Sequence, residues 1–132
     1  MKDKPRIRVV AARIERDGRY LITQRKATAV LPLLWEFPGG RVEQDESDEQ
    51  ALARKLQQRV GVTIGVDELS MHVAHEYDRY VLDLLLYAAH IVEGEPTPDA
   101  VRDVRWVAPQ DFGDYQFPGA DQATVDALLS ED

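Results

Sequence analysis

Short β-rich apolar runs alternate with polar breaks along most of the chain, and apolar residues recur at helical spacing in two places, around residues 47–61 and 121–129. Residues 7–14 and 20–23 are β-rich runs flanking Arg16-Asp17-Gly18-Arg19. Asp-Gly between such runs predicts a hairpin, because both central turn residues can take positive φ. A loop over about 26–34, containing Pro32, follows. Residues 69–77 and 80–92 predict a second hairpin around Asp78-Arg79, residues 94–98 a loop, and residues 104–107 a short strand that includes Trp106.

The central helix is specified locally. Ser47-Asp48-Glu49-Gln50 matches a capping box, two acidic residues in the first turn suit the helix dipole, and Gly61 supplies the stop. Leu52, Leu56 and Val60 recur at i+4 as the buried stripe, which leaves Ala51, Lys55, Gln58 and Arg59 on the adjoining flank. Asp121 reads as the N-cap of a final helix reaching about residue 129 and built on Val125, Leu128 and Leu129. Hairpin, helix, hairpin, strand and helix make a layered α+β or α/β arrangement. At 132 residues the chain is read as one domain, 1–132, with no internal repeat.

Charge narrows the partners. A net charge of -8 disfavours long-range attraction to nucleic acid or an anionic membrane, yet a local basic pocket for a small anion remains compatible with it. With no cysteine there is no disulfide framework, thiolate zinc site or cysteine nucleophile. Met1 to Pro5 lacks the apolar region of a signal peptide and no apolar run has transmembrane length, so a cytoplasmic protein is expected.

The stretch from Gly40 to Val62 carries the chemistry. Gly40, Glu46, Arg54, Leu56, Gly61 and Val62, with Trp35 to Gly40 before them, resemble the Nudix box of MutT-type enzymes: Gly, five residues, Glu, seven residues, then Arg-Glu-hydrophobic-any-Glu-Glu-any-Gly-hydrophobic. Val9-Val10-Ala11-Ala12, Glu15 to Gly18, Gln24-Arg25 and Phe117-Pro118-Gly119-Ala120-Asp121 extend the likeness over about residues 9–129, in places toward the cytidine-triphosphate or oxidised-nucleotide pyrophosphohydrolases. The resemblance implies the Nudix fold, a mixed sheet sandwiched between helices. In that family Mg²⁺ is held by the helix glutamates and a carbonyl of the Gly-Gly turn.

Here the three glutamate positions are Lys55, Gln58 and Arg59. Carboxylates at i, i+3 and i+4 would line one stripe and offer the hard oxygens that Mg²⁺ prefers, whereas two cations repel it. A further family glutamate corresponds to Ala100, with Asp99 and Asp103 near it. The resemblance leaves Glu46, Glu43 and Arg54 as residual catalytic candidates, and Gly39, Glu46 and Asp99 as residual metal candidates. It implies nucleotide contacts from Arg25, Phe37, Gly39, Gly40 and Asp121. Lys55 and Arg59 are candidates to contact the polyphosphate in place of metal. An ionised Asp121 would accept from an amino-bearing base, cytosine preferred, and a protonated one could do the opposite. His72, His75 and His90 lack ligand spacing, and Trp35 and Trp106 are read as packing residues.

Three readings stay open. The first is a nucleotide-binding protein with hydrolysis lost or severely weakened and no cofactor. The second is an active Mg²⁺-dependent pyrophosphohydrolase using Glu43, Glu46, Asp99 or Asp103 as replacement ligands. The third is a non-enzymatic interaction module, a homodimer.

Overall fold

The computed structural model describes residues 4–129. Its strands are β1 (Arg6–Arg13), β2 (Glu15–Arg16), β3 (Arg19–Gln24), β4 (Trp35–Glu36), β5 (Gly39–Arg41), β6 (Thr63–Glu76), β7 (Val81–Glu93) and β8 (Asp103–Val107). Its α-helices are α1 (Asp48–Val60) and α2 (Gly119–Leu129), with a 3-10 turn at Pro109–Asp114. One mixed sheet has the order β5-β1-β7-β6, in which β1 and β7 are parallel and the other pairs antiparallel. In the second sheet β3 pairs antiparallel with β2, β4 and β8.

Strand alternation explains the layering. Val10 and Ala12 of β1 and Leu85 and Tyr87 of β7 join Leu52, Leu56 and Val60 of α1 in one core. Ala11, Leu84 and Leu86, one position out of phase, join Ala120, Val125 and Leu128 of α2 and Phe112 in the other. Side chains one residue apart point to opposite faces, so the central strands bury both faces and the sheet lies between the helices.

The expected turn at Asp17-Gly18 is present, with φ of 53° and 78°. The Ser47 hydroxyl accepts from Gln50 N–H, the Gln50 side chain accepts from Ser47 N–H, and Gly61 takes φ 72°. Asp48 then fixes the helix start to the sheet, accepting from Arg8 at 2.8 Å and from Tyr87 O–H at 2.6 Å. Ser47→Ala is expected to cost about 1 kcal/mol through the lost cap, measurable as a lower midpoint in urea; an unchanged midpoint would show that Asp48 alone holds this end.

Four expectations are corrected. β6 begins at Thr63 rather than Leu69, because Ile64 is buried in the α1 core; register shifts after Thr63, Val66 and Leu69 interrupt the alternation that would have revealed the strand. Ala51 is buried with the core stripe instead of lying on the flank, and Leu129 is exposed rather than packed. Finally, α2 starts at Gly119, with Gln122 N–H donating to Pro118 O, so Asp121 sits inside the first turn and is not the N-cap.

Candidate functional site

One face of β1 and β7 builds an apolar wall. The parallel register sets Ile7 beside Leu82 and Val9 beside Leu84, and all four line a cavity of about 360 Å³. Phe37, Pro118, Tyr77 and Tyr80 bound it further, and Val30 and Leu31 reach it from the loop before β4. The charged side chains at the cavity are Arg25, Glu36, Arg41, Arg59 and Asp121. An apolar concavity with a few convergent polar groups is the usual form of a small-molecule site.

Asp121 is the most perturbed of these groups. It is buried, and its carboxyl accepts from Phe37 N–H at 3.3 Å. Burial, followed by the charge of Glu36, pushes its pKa up to about 8, against the lowering effects of the Phe37 N–H and Arg25. At pH 7 the neutral acid predominates and carries an O–H that can donate. The cytosine preference assumed an ionised Asp121, and this environment removes that basis, since a neutral carboxyl can also donate to a keto oxygen.

Arg25 follows β3 and is held in place: its Nε donates to Val30 O at 2.6 Å and its Nη1 to Glu36 at 3.0 Å. Glu36 is positioned by β4, where it lies opposite Thr23 of β3. Tyr77 O–H accepts from Ala120 N–H at 3.4 Å, tying the β6–β7 turn to the start of α2. Its pKa is raised, chiefly by burial.

The helix stripe divides. Arg59 lines the cavity, and its buried Nε has no hydrogen-bond partner. Lys55 does not line it. The Lys55 methylenes cover Gly40, where an added Cβ would lie 2.6 Å from Cδ and Cε, and its ammonium reaches Gln58 Oε1 at 3.4 Å. Burial, then Arg59 and Arg54, lowers the Lys55 pKa. Gly39 pairs with Ala11, and a side chain there would strike the Val10 carbonyl.

The carboxylates offered as replacement metal ligands are engaged by other partners. Glu46 accepts from Arg54 at 2.7 Å and from Glu43 N–H at 3.0 Å, and these bonds, Arg54 first, hold its pKa at about 2. Glu43 lies 3.8 Å from Arg54 on an exposed loop. Asp99 accepts from Thr97 O–H at 2.8 Å, and Asp103 pairs with Arg105 and caps Val104 N–H. No group of three or more His, Cys, Asp or Glu side chains that could hold a metal occurs among the described residues. The described residues therefore hold no preformed cage for Mg²⁺, whose coordination here would have to be completed by ligand phosphates and water.

Of the predicted site residues, Arg25, Phe37, Gly39, Gly40, Arg59 and Asp121 meet at one cavity; Lys55, Glu43, Glu46, Arg54 and Asp99 do not line it. His72 pairs with Asp83, His90 with Asp67, and His75 packs on Tyr77. Trp35 packs edge-on to Tyr115, and Trp106 lies under Arg16. Sequence reasoning missed Glu36, Tyr77 and Tyr80. The signal for Glu36 was its place between Trp35 and Phe37 in the most specific motif; the tyrosines reach the cavity only through the β6–β7 turn.

Comparison with known proteins identifies the family and the fold. The family model described as NUDIX domain matches residues 9–127. The chain is 36% identical over 126 residues to the CTP pyrophosphohydrolase of Escherichia coli (strain K12), covering 94% of this chain and 92% of that one. It is 32% identical over 130 residues to the 8-oxo-dGTP diphosphatase of Haemophilus influenzae, covering 98% and 96%. The solution structure of the E. coli ORF135 protein superposes with a TM-score of 0.81 at 33% identity, covering 96% of this chain and 91% of that one.

Proposed function

The chain belongs to the NUDIX domain family, and from that membership we propose that it binds a nucleoside di- or triphosphate, as one domain, with metal-dependent pyrophosphohydrolysis lost or severely weakened. The observation that carries this reading is the α1 stripe. Lys55, Gln58 and Arg59 occupy the metal-binding glutamate positions, and among the described residues no group of three or more Asp, Glu, His or Cys side chains replaces them. Water attack on phosphorus in such a site relies on a metal and a carboxylate base, and these three helix positions supply no carboxylate for either.

Nucleotide binding is supported by what remains. The apolar cavity with Asp121 and Arg25 at its edge suits a base, and two relatives are named for nucleotide substrates, CTP and 8-oxo-dGTP. The net charge of -8 argues against a nucleic-acid partner. No described helix is long and apolar enough to cross a membrane.

The test is a thermal-shift panel of nucleoside triphosphates, first with EDTA and then with excess Mg²⁺, with phosphate and pyrophosphate release read from the same wells. A nucleotide at one hundred times its dissociation constant is expected to stabilise the protein by about 2.7 kcal/mol in EDTA without turnover. Mg²⁺-dependent release would overturn the loss of hydrolysis and establish an active enzyme. Failure of every nucleotide to raise the melting temperature would favour the homodimeric interaction module.

A further inference from the structure

A second cavity of about 180 Å³ lies beside the first and shares Arg25, Glu36 and Arg59 with it; Lys26, Thr28 and Ala100 are further lining residues. Its walls are braced by backbone. Asp99 N–H and Ala100 N–H both donate to Arg59 O, at 3.1 and 3.0 Å, which straps the loop before β8 onto the end of α1. Arg102 N–H donates to Gln24 O at 2.9 Å and ties the same loop to β3. Ala100 leaves this cleft without the carboxylate that the family places at its position.

The charges in the cleft are unbalanced. Arg25, Lys26 and Arg59 face a single carboxylate, Glu36, in a protein whose net charge is -8. Glu36 is already engaged by Arg25. Among the described residues neither Lys26 nor Arg59 makes an ion pair, and the Arg59 Nε is buried with no acceptor. A buried donor without a partner is rare in folded proteins, and on a guanidinium it calls for an anion. Thr28, with a hydroxyl donor, also lines the cleft.

We propose that this cleft holds the polyphosphate of the ligand as the metal-free anion, through Arg59, Lys26, Arg25 and Thr28, so that Mg²⁺ weakens binding instead of enabling it. The proposal rests on the nucleotide-binding reading above and specifies the ionic form that the site selects. A free triphosphate brings its full negative charge to the unpaired cations. Its Mg²⁺ complex brings two fewer negative charges and a hydrated ion for which the cleft's one carboxylate, Glu36, is already engaged by Arg25. Arg25, Glu36 and Arg59 line both cavities, so a nucleotide with its base on the apolar wall would carry its phosphates toward the cleft. Lys55, packed over Gly40 outside both cavities, excludes metal by charge and touches no phosphate.

Calorimetric titration of the full chain with CTP, dGTP, the two nucleosides and inorganic tripolyphosphate, in EDTA and in excess Mg²⁺, tests this. Tripolyphosphate is expected to bind in EDTA and compete with the nucleotides, and Mg²⁺ to weaken each about tenfold or more. Arg59→Gln and the exposed-loop variant Lys26→Ala are expected to weaken triphosphate binding by about tenfold and severalfold, and Lys26→Ala, which lies outside the apolar cavity, to leave nucleoside affinity unchanged. Binding that strengthens with Mg²⁺, or that neither variant alters, overturns the proposal while nucleotide binding itself stands. Tripolyphosphate binding that depends on Arg59 and Lys26, with no contribution from any nucleoside, upholds the cleft and overturns the nucleotide reading.

Discussion

Replacing Lys55, Gln58 and Arg59 together with glutamate is expected to raise Mg²⁺ affinity by roughly a hundredfold, about 2.7 kcal/mol, and to abolish tripolyphosphate binding in EDTA. The direction follows from Coulomb's law. Unit charges 4 Å apart interact by roughly 4 kcal/mol at an effective dielectric near 20, and a divalent ion doubles that. The substitution turns a stripe carrying two cations into one carrying three anions, and Gln58 lies on exposed surface where screening reduces the effect. The three carboxylates would fall on one helical face next to the Gly39-Gly40 turn, where Mg²⁺ could keep water and phosphate in its remaining positions. Calorimetry with Mg²⁺ and Mn²⁺ checks the affinity, and pyrophosphate release checks the chemistry. Unchanged metal affinity would show that the loss extends beyond the helix, with Ala100 the next position to convert to glutamate.

What could be read from the sequence and what could not separates by physical range. The Asp17-Gly18 turn, the Ser47 cap and the Gly61 stop are decided by residues within one turn of each other, and all three form as expected. The α1 core stripe follows from periodicity alone, apart from Ala51, whose small side chain fits beside Leu52. The start of β6 escaped notice because Gly65, Asp67 and Glu68 break the alternation, and only pairing with the far end of β7 makes that segment a strand. Asp121 was misplaced because an Asp before an apolar helix reads as a cap; its carboxyl turns instead toward Phe37, a partner more than eighty residues away. The site shows the same division. Motif positions brought six residues to one cavity, whereas the separation of Lys55 from Arg59 depends on Gly40 being covered by lysine methylenes. That is a packing fact with no local signature.

The second large effect is expected at Asp121: stability of the wild-type protein should fall as pH rises from 5 to 8, and Asp121→Asn should remove most of that fall. The ordinary value of this carboxyl is 3.8 and its folded value about 8, raised first by burial and then by Glu36. Between those values the folded state holds a proton that the unfolded state has released, so each increment of pH in that window favours unfolding. The slope for one proton is at most about 1.4 kcal/mol per pH unit, and relaxation around a newly formed carboxylate reduces it, so the asparagine variant should be more stable by on the order of 2 kcal/mol at pH 8 and nearly equal near pH 4. Asparagine keeps an oxygen to accept from Phe37 N–H and supplies an N–H donor where the neutral acid has its O–H. Urea midpoints of both proteins at pH 5, 6.5 and 8 decide it. A wild-type midpoint that holds level while the variant loses stability at every pH would show an ionised Asp121 satisfied by its surroundings. In that state the carboxylate could only accept, and the pocket would favour an amino-bearing base.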